Sequence, residues 1–542
     1  MHRPHRAFGY EEHGQGLKLA RHGSRALSCG QPKTRSIVAP SESVISWCLA
    51  GGKDSEILSP LAAKYGGRIG KIMGNRQGVI RYAAACFQTP RFSFIITLTI
   101  AVSHSGVAGE NLEQRLVGWR DHSTTISGNA ARVLIEKQFT AFDPNYSFKK
   151  KRFGPEITAA ATAIAENEWQ GRAVPCSRQI YLEAKWLWSY TAFFDQLTEL
   201  LKAFPESLKV GDQSFTNLQS PSDGGWGVCY RRMVHRLDAT VSALEELHSR
   251  DEGPEYALRL YPEIKSGAQF EHAVESLILS DIQATGENLR GTLNSVITSL
   301  GRVHLRHHWR EFIEHRVRAH LHEQLPGGVP EVEARIVQFI DDWQDPDTGF
   351  WGAWYRDGDE IYRTSDLSIT FHIVAYRNGQ VDRKVAIGEH LLASKYEDYP
   401  YGWFKDGRMS NHNNYDVVKI LRLIWGDLTP GLQDKFRTEI KNMTIWALRS
   451  SLQRDGSVEF YPTMFESASA EYYYLVSFLE EIGYWNADGQ FWIGGDVREI
   501  PYSDDAHRVC SSIKRSFDQR RFQDGPSLAT RRKLARGCPD KF

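Results

Sequence analysis

The segment Asp347-Thr348-Gly349-Phe350-Trp351-Gly352 joins an Asp and Gly turn to an aromatic pair, and an apolar, helix-like stretch follows it. The same combination of Asp, Gly and an aromatic residue recurs at 223–227, 402–407, 455–460 and 488–492. Repetition at intervals of roughly 20–50 residues is typical of solenoids, propellers and helical arrays. The recurrence therefore predicts a repeated architecture, although it indicates no particular reaction.

Helical periodicity dominates the segments between these turns. Apolar residues recur at three- and four-residue spacing over 190–204 and over 234–247, as on the buried face of a helix. Further helices are expected at 271–283, 289–301, 302–323, 331–343, 382–395, 414–426, 432–452 and 466–484. The segment 368–374 fits either a strand or an inner helix. Because no series of Val- and Ile-rich strands alternates with the helices, we predict an all-α fold.

The two ends of the chain differ from this helical region. Residues 1–72 lack periodicity, which predicts a disordered extension upstream of a true start at Met73. The segment 73–109 has a basic flank, an apolar run and then small residues, and this order resembles a secretory signal peptide. A buried strand or helix is the alternative for the apolar run. The run is shorter than the roughly 20 residues of a membrane span. The basic segment 503–542 predicts a disordered tail, which leaves 150–500 as the folded domain of a secreted or periplasmic protein.

The charge balance and the cysteine and histidine spacing limit which partners and ligands the sequence predicts. The chain has 66 Lys and Arg against 66 Asp and Glu, so it lacks the basic excess that nucleic-acid binding requires. Its 7 cysteines form no closely spaced pair, and only Cys176 and Cys229 fall inside the predicted domain, where they could form one disulfide in an exported protein, a pairing that the sequence leaves open. His304 and His308 have helical spacing but no accompanying Glu. We therefore predict no metal, no cofactor and no stable membrane insertion after cleavage of the signal.

Helices that open with Asp-Gly-aromatic turns resemble the α/α-toroid superfamily, and the segment 344–352 is the closest match. The resemblance covers about 150–500 and implies an α/α toroid, a barrel of helical hairpins. Terpenoid cyclases and prenyltransferase β-subunits have this fold, as do polysaccharide lyases and some glycoside hydrolases. Since one barrel hosts several chemistries, the function has to be argued from the site.

The densest polar cluster is Arg408-Met409-Ser410-Asn411-His412-Asn413-Asn414-Tyr415-Asp416, which leads into a helix. In a toroid such a segment lines one mouth of the cavity, and its residue types suit a uronate lyase. Asn411 and Arg408 would neutralise the sugar carboxylate, while His412 would assist and Tyr415 would be the base or acid. Asn413 and Asn414 would bind substrate. The Asn411-His412 pair resembles the Asn-Asn-His stretches of toroidal alginate and chondroitin lyases in a different order, and helix capping is the structural alternative.

Aromatic and acidic residues complete the predicted saccharide site. Stacking surface is assigned to Trp351, Trp354, Trp403 and Phe404. His372 lies one repeat earlier and would either face the cavity or belong to the core. Glu466 and Glu471 flank aromatic residues that include the run 472–474, which favours a subsite for a polysaccharide or oligosaccharide.

Three alternatives remain open at this stage. A glycoside hydrolase would pair Asp406 with Asp347 or Glu466, although a repeated Asp also forms turns. The acids Asp341, Asp342 and Asp345 match a short pattern that binds diphosphate in terpene synthases. The third alternative is a non-catalytic, terpenoid-cyclase-like toroid that acts as a scaffold or binding module. Convergence of the polar cluster on one concave cavity would favour an enzyme.

Overall fold

The computed structural model describes residues 112–172, 174–209, 219–258, 267–306, 330–460, 467–486, 489–493, 504–520, 522 and 525–537. Some sequence predictions lie outside these ranges, namely the extension at 1–72, the signal peptide at 73–109, Glu466, Asp488 and His308. Among the described segments, no helix combines the length and the apolar character needed to cross a membrane.

Helices form most of the described chain, as the sequence predicts. They are α1 (Leu112–Asp121), α2 (Gly128–Phe142), α3 (Tyr146–Trp169), α4 (Pro175–Tyr190), α5 (Phe194–Lys209), α6 (Met233–Ser249), α7 (Gly267–Ile278), α8 (Ile282–Thr285), α9 (Arg290–Val296), α10 (Pro330–Trp343), α11 (Leu367–Tyr376), α12 (Lys384–Ala393), α13 (Asn411–Ile424), α14 (Pro430–Trp446), α15 (Ala468–Glu481), α16 (Asp504–Arg520) and α17 (Gly525–Gly537). A π-helical turn, Ile297–Gly301, continues α9 into Arg302–His304. The ambiguous segment 368–374 is helical and lies within α11.

A small sheet accompanies the helices, and the all-α prediction omits it. Its strands are β1 (Ser123–Ile126), β2 (Leu279–Ser280), β3 (Trp354–Asp357) and β4 (Glu360–Thr364), in the order β1-β4-β3-β2. β3 and β4 form an antiparallel hairpin, while β1 pairs with β4 and β2 pairs with β3 in parallel. Such short strands leave no run of alternating residues in the sequence, which explains why the pattern gave no sign of them.

Six helices, α6, α9, α11, α13, α15 and α17, pack side by side in chain order. Cross-links along α6 and α9 show their relative direction. Asp238 of α6 accepts a hydrogen bond from Ser299, in the continuation of α9. Further along both helices, Glu245 of α6 pairs with Arg302. Contacts therefore advance along both helices in the same direction, which makes the two helices parallel.

The same ordering holds between α9 and α11, and between α11 and α13. Arg290 at the start of α9 pairs with Asp366 just before α11, whereas Thr298 accepts a hydrogen bond from Tyr376 at the end of α11. The rings of Phe371 and Tyr415 lie 5.5 Å apart in the first halves of α11 and α13, and Gly379, just after α11, lies against the backbone of Leu423 near the end of α13. All three helices consequently run in one direction.

The last two pairs are parallel as well. Tyr415 of α13 lies beside Tyr474 of α15, and Lys419 pairs with Glu481 further along both helices. Tyr472 contacts Phe522 just before α17, and later Lys533 pairs with Glu480. The six helices therefore form a layer of parallel neighbours whose N-terminal ends all lie at the same side.

Two helices, α16 and α17, lie in the segment 503–542 for which the sequence predicts a disordered tail. Their apolar residues Cys510, Ile513, Phe517 and Leu534 are buried. The first three follow helical spacing, and this amphipathic signal is masked by the many Arg and Lys between them. Helices also precede residue 150, so the folded region is longer at both ends than the predicted domain.

Two of the repeated turns share one construction. In the copy at 344–352, Gln344 donates to the carbonyls of Gly349 and Asp382, and the Trp351 N–H donates to Thr370 of α11. Gln219 donates in the same way to Gly224 and Tyr256, and the Trp226 N–H donates to Thr240 of α6. Each turn thus fixes the approach of the chain to a helix of the parallel layer.

Positive backbone φ angles explain the glycines of these turns. Gly224 and Gly349 have φ near +78° and +71°, where a side chain would be strained. Asp345 accepts the N–H groups of Asp347 and Thr348, and Asp455 accepts that of Ser457. In these copies an Asp therefore serves the turn itself.

Candidate functional site

A cavity of about 2110 Å³ is lined by residues of all six parallel helices and of α4. Eleven of the described lining residues are Lys or Arg and eight are Asp or Glu, whereas the chain as a whole is balanced. The volume exceeds the roughly 300–1,000 Å³ of ordinary small-molecule pockets. The cavity is therefore large enough for an extended ligand, and its excess of cationic residues favours an anionic one.

Helix α4 lies against the N-terminal ends of α6 and α9. Gln179 and Glu183 accept hydrogen bonds from the N–H groups of Cys229 and Arg231, which lie just before α6. At the end of α4, the Tyr190 hydroxyl accepts from Arg290 at the start of α9. A disulfide between Cys176 and Cys229 fixes the beginning of α4 to the same segment. Lys185 and Trp186, in the middle of this helix, line the cavity.

The first turn of α13 carries the predicted polar cluster. Ser410 caps the helix, because its hydroxyl accepts the Asn413 N–H at 3.2 Å. The asparagines are therefore not needed as caps. His412, Asn413, Tyr415 and Asp416 line the cavity, as their helical spacing allows.

His412 has a defined orientation. The Asn413 amide nitrogen donates to the Trp403 carbonyl at 2.7 Å, which directs the amide oxygen to His412 Nδ1 at 3.0 Å. Nδ1 must then carry the proton, and Nε2 keeps its lone pair. Burial lowers the pKa of His412 to about 4, and nearby Lys185 contributes in the same direction. The imidazole is thus a neutral base at neutral pH.

Tyrosines surround His412, and the nearest ring is that of Tyr474 at 4.4 Å. The Tyr399 ring lies edge-on to the imidazole at 5.0 Å, and its hydroxyl donates to Asp416 Oδ2 at 3.3 Å. Tyr415 lies among the rings of Phe371 and Tyr474. Burial raises the pKa of both Tyr399 and Tyr415 well above the ordinary value. Both phenols therefore remain proton donors over the physiological pH range.

A buried ion pair supports the neighbouring part of the wall. Asp366 accepts two hydrogen bonds from Arg290, at 2.7 and 3.0 Å, and Arg290 also donates to Tyr190. His372 lies on α11 beside Phe371 and Tyr376 and lines the cavity. Burial, followed by the charge of Arg302, lowers the pKa of His372 well below its usual value. This histidine is also uncharged at neutral pH.

The structure does not bring every predicted polar residue to the cavity. Asn411 is buried and donates to Ser451 and Glu471, whereas Asn414 is buried on another side of the helix. Arg408 is exposed on the turn before α13. None of these is among the described residues that line the cavity. A helix directs only some of its positions to one side, and Asn411, Glu471 and Asn414 occupy packed positions instead.

The predicted aromatic stacking surface lies elsewhere. Trp351, Trp354 and Trp403 are at most 2% exposed and belong to the hydrophobic core, and Phe404 packs against Tyr396. The Trp351 indole N–H is satisfied by the Ile340 carbonyl. These residues are absent from the described cavity wall, whose aromatic residues include Trp186, Tyr190, Tyr230, Phe371, Tyr473 and Tyr474.

The acids singled out in the sequence serve local structure. Asp406 is exposed on a turn with φ of 51°, and Asp347 lies in the turn that follows α10. Asp341 pairs with Arg377 and Asp345 with Arg363, so two of the three terpene-synthase-like acids are engaged in ion pairs. The described residues contain no cluster of His, Cys, Asp or Glu arranged to hold a metal ion.

Sequence reasoning missed Tyr399, Arg290 and the role of Asp416. Asp416 is detectable in principle, because it lies four residues after His412 and such residues share a helix face. Tyr399 and Arg290 lie outside α13, so no spacing in the sequence links them to His412. Comparison with protein-family models, with curated proteins and with solved structures finds no match to this chain.

Proposed function

We propose that this protein is an exported, lyase-type enzyme that cleaves an acidic, uronate-containing polysaccharide by β-elimination in the cavity. The observation that carries the proposal is the position of His412. It is a neutral imidazole that keeps its Nε2 lone pair, it lies edge-on to the phenol rings of Tyr399 and Tyr474, and it lies in a cavity with a cationic excess. A base, a proton donor and positive charge are the groups that this reaction requires.

The reaction assigned to the site begins with proton abstraction. His412 Nε2 takes the proton from C5 of the uronate, and the electron pair forms the double bond between C4 and C5. The C4–O bond breaks, and a tyrosine hydroxyl protonates the leaving oxygen. No water enters the products, since the chain is divided into an unsaturated uronate and a new alcohol end.

Cationic residues would favour the abstraction by neutralising the sugar carboxylate. Arg408 and Asn411 lie away from the cavity, so this role passes to Lys185 on α4, whereas Arg290 on α9 is already paired with Asp366. Lys185 lies close enough to His412 to lower its pKa. Positive charge placed before the reaction stabilises the developing enolate without reorganisation of solvent.

A closed ring, the α/α toroid, is the architecture we propose for the parallel helices. Arg532 of α17 contacts Glu246 of α6 at 3.2 Å, which connects the last helix of the series to the first. Each of the six helices lines the same cavity. A measured structure in which α17 lies away from α6 would contradict the ring.

Disulfides support the export part of the proposal. Cys176 pairs with Cys229, and Cys510 is also disulfide-bonded. Such bonds persist in extracellular and periplasmic compartments, whereas the cytosol keeps thiols reduced. Expression in a host that exports proteins, followed by N-terminal sequencing of the released product, tests the predicted cleavage near residue 109.

Incubation with a panel of uronic-acid polymers tests the reaction. We expect ultraviolet absorbance from the conjugated C4–C5 double bond to rise with time, together with shortening of the polymer. The variant His412→Gln is the matched control, because it keeps a polar side chain but lacks a base. Shortening of the polymer without new ultraviolet absorbance would refute elimination.

Hydrolysis by two carboxylates is the second candidate. Asp238 and Asp416 both line the cavity, and burial raises the pKa of each. One of them as an acid and the other as a base would suit a glycoside hydrolase. New reducing ends without an unsaturated product, lost in Asp238→Asn, would favour this candidate. Absence of cleavage in both assays would favour the non-catalytic alternative, a scaffold or binding module.

A further inference from the structure

Asp416 is a buried carboxyl group that opens onto the cavity. It lies one helical turn after His412 and is 1% exposed. Within the described part of the chain, its Oδ1 has no hydrogen-bond partner. A buried polar atom without a partner costs free energy, so its presence beside a candidate base needs a reason.

The other oxygen of Asp416 connects it to the reacting groups. Oδ2 accepts the Tyr399 hydroxyl at 3.3 Å and lies 3.9 Å from His412 Nδ1. Tyr399 itself is edge-on to His412. One carboxyl group therefore adjoins both the candidate base and a candidate proton donor.

The groups around Asp416 disfavour its ionised form. Burial raises the pKa of this carboxyl well above the usual value, Asp366 adds to the rise, and the Tyr399 hydrogen bond opposes it. Arg290 is already paired with Asp366, and His412 and His372 are neutral. Among the described residues, the other titratable groups on this side of the cavity wall include Lys185 of α4, Tyr415 and Lys419 of α13, and Tyr473, Tyr474 and Glu481 of α15.

We propose that Tyr399 is the residue that protonates the leaving oxygen, and that Asp416 positions its hydroxyl and supplies the replacement proton. The inference rests on the proposed elimination and assigns its proton donor to the phenol that is hydrogen-bonded to Asp416. Tyr415 is then a wall residue, since its hydroxyl is engaged with Tyr473.

The proton balance closes over one cycle. His412 Nε2 receives the C5 proton while the Tyr399 hydroxyl proton moves to the leaving oxygen. The Asp416 carboxyl proton then passes to the Tyr399 phenolate, which leaves a carboxylate beside the imidazolium. After the products depart, solvent in the cavity takes the proton from Nε2 and returns one to Asp416. The substrate loses one proton from C5 and gains one on the leaving oxygen, so its net proton count is unchanged.

Asp416→Asn in the full-length protein tests this assignment, because the amide preserves the shape but supplies no proton. On the natural polymer we expect kcat to fall about 100-fold while KM changes less than about twofold. On a uronate whose C4 substituent is nitrophenoxide, the leaving group needs no proton, and the loss should shrink to about threefold or less. A merely structural role would lower both rates equally.

The pH profile provides a second readout. A proton on Asp416 is needed for turnover, so wild-type activity should fall as pH rises through the pKa of this group, and Asp416→Asn should lack that alkaline decline. Glu481→Gln is the matched control. It replaces another buried carboxylate of the cavity wall, paired with Lys419, and should keep the decline.

The outcomes separate the two proposals. If the wild type cleaves the polymer but Asp416→Asn keeps its rate, or loses equally on both substrates, this inference is overturned while elimination stands. If the wild type cleaves no uronate polymer, the proposed function fails and the inference fails with it. Should Asp416→Asn not fold, Tyr399→Phe decides, because it must show the same loss on the polymer and the same recovery on nitrophenoxide.

Discussion

Helices α11 and α13 are parallel neighbours whose first turns have the same geometry and different contents. Asp366 caps α11 and Ser410 caps α13, each by accepting an N–H three residues later. Counted from these caps, the second, fifth and sixth residues of each helix line the cavity. On α11 they are Ser368, Phe371 and His372, and on α13 they are His412, Tyr415 and Asp416.

The difference teaches that the fold determines which positions face the cavity, whereas the side chains determine what happens there. On α11 the charged group is the cap itself, which pairs with Arg290 outside the helix. On α13 the cap is neutral, and the ionisable groups stand at the cavity-facing positions. We therefore regard α11 as the supporting wall and α13 as the reactive one, a distinction that substitutions can test.

The largest effect is expected when the charged cap of α11 is removed. Asp366→Ser keeps a capping hydroxyl but leaves Arg290, which is 6% exposed, without its carboxylate. Breaking a buried pair in this way costs about 3–5 kcal/mol of the free energy of unfolding. Urea denaturation measures the loss. Asp281→Ser is the matched control, because Asp281 caps α8 without such a pair and should lose less than about 1 kcal/mol.

The second prediction compares the two histidines. His412→Gln should lower kcat by about 10²–10⁴-fold, the usual contribution of a general base, at nearly unchanged stability. His372→Gln should lower kcat by less than about tenfold, since the ring of His372 packs between Phe371 and Tyr376. Initial rates on a uronate polymer distinguish them. Equal losses would show that both helices carry chemistry, and a larger loss for His372 would reverse the assignment.

The third prediction concerns stability against pH. The pKa of His412 is about 4 in the folded protein and near 6.5 when unfolded, so the unfolded chain binds the proton more tightly between these values. The contribution of His412 to the free energy of unfolding is fully present above pH 6.5 and is lost as pH falls toward 4. His372 acts in the same direction, whereas the raised pKa of Asp416 disfavours the folded state as pH rises.

Comparison of urea unfolding at pH 7 and pH 5 isolates the His412 contribution. The wild type should lose more stability on acidification than His412→Gln, by up to about 1.4 kcal/mol for each pH unit. His272→Gln, at an exposed position, is the control and should behave as the wild type does. The same pH dependence in all three proteins would mean that His412 is not buried.

The sequence predicted which segment reaches the cavity better than it predicted which residues of that segment do so. The density of polar side chains before a helix identified 408–416, and His412, Asn413 and Tyr415 do reach the cavity. Asn411 and Asn414 do not, because composition alone does not reveal which side of a helix faces a cavity. The tryptophans show the same limit, since a core and a binding surface both favour large aromatic residues.

Long-range partners were beyond prediction for a physical reason. The pairing of Arg290 with Asp366 joins residues 76 positions apart and depends on two helices lying side by side. Helical periodicity, by contrast, is a local property, and it predicted most of the helices. It did not predict α1 to α4, nor the helices of the basic segment after residue 503, where few apolar residues are separated by charged ones although they share one helix face.

The smallest effect is expected at the neutral cap of α13. Ser410→Ala removes one accepted hydrogen bond and should cost about 1 kcal/mol of the free energy of unfolding. Thr429→Ala, which removes the cap of α14, should cost a similar amount. Only Ser410→Ala should also lower kcat, by a factor of about two to five, because a loosened first turn shifts His412 relative to its substrate. If kcat stays unchanged, the contact between Asn413 and the Trp403 carbonyl holds the turn by itself, and the reactive wall depends on that contact rather than on its cap.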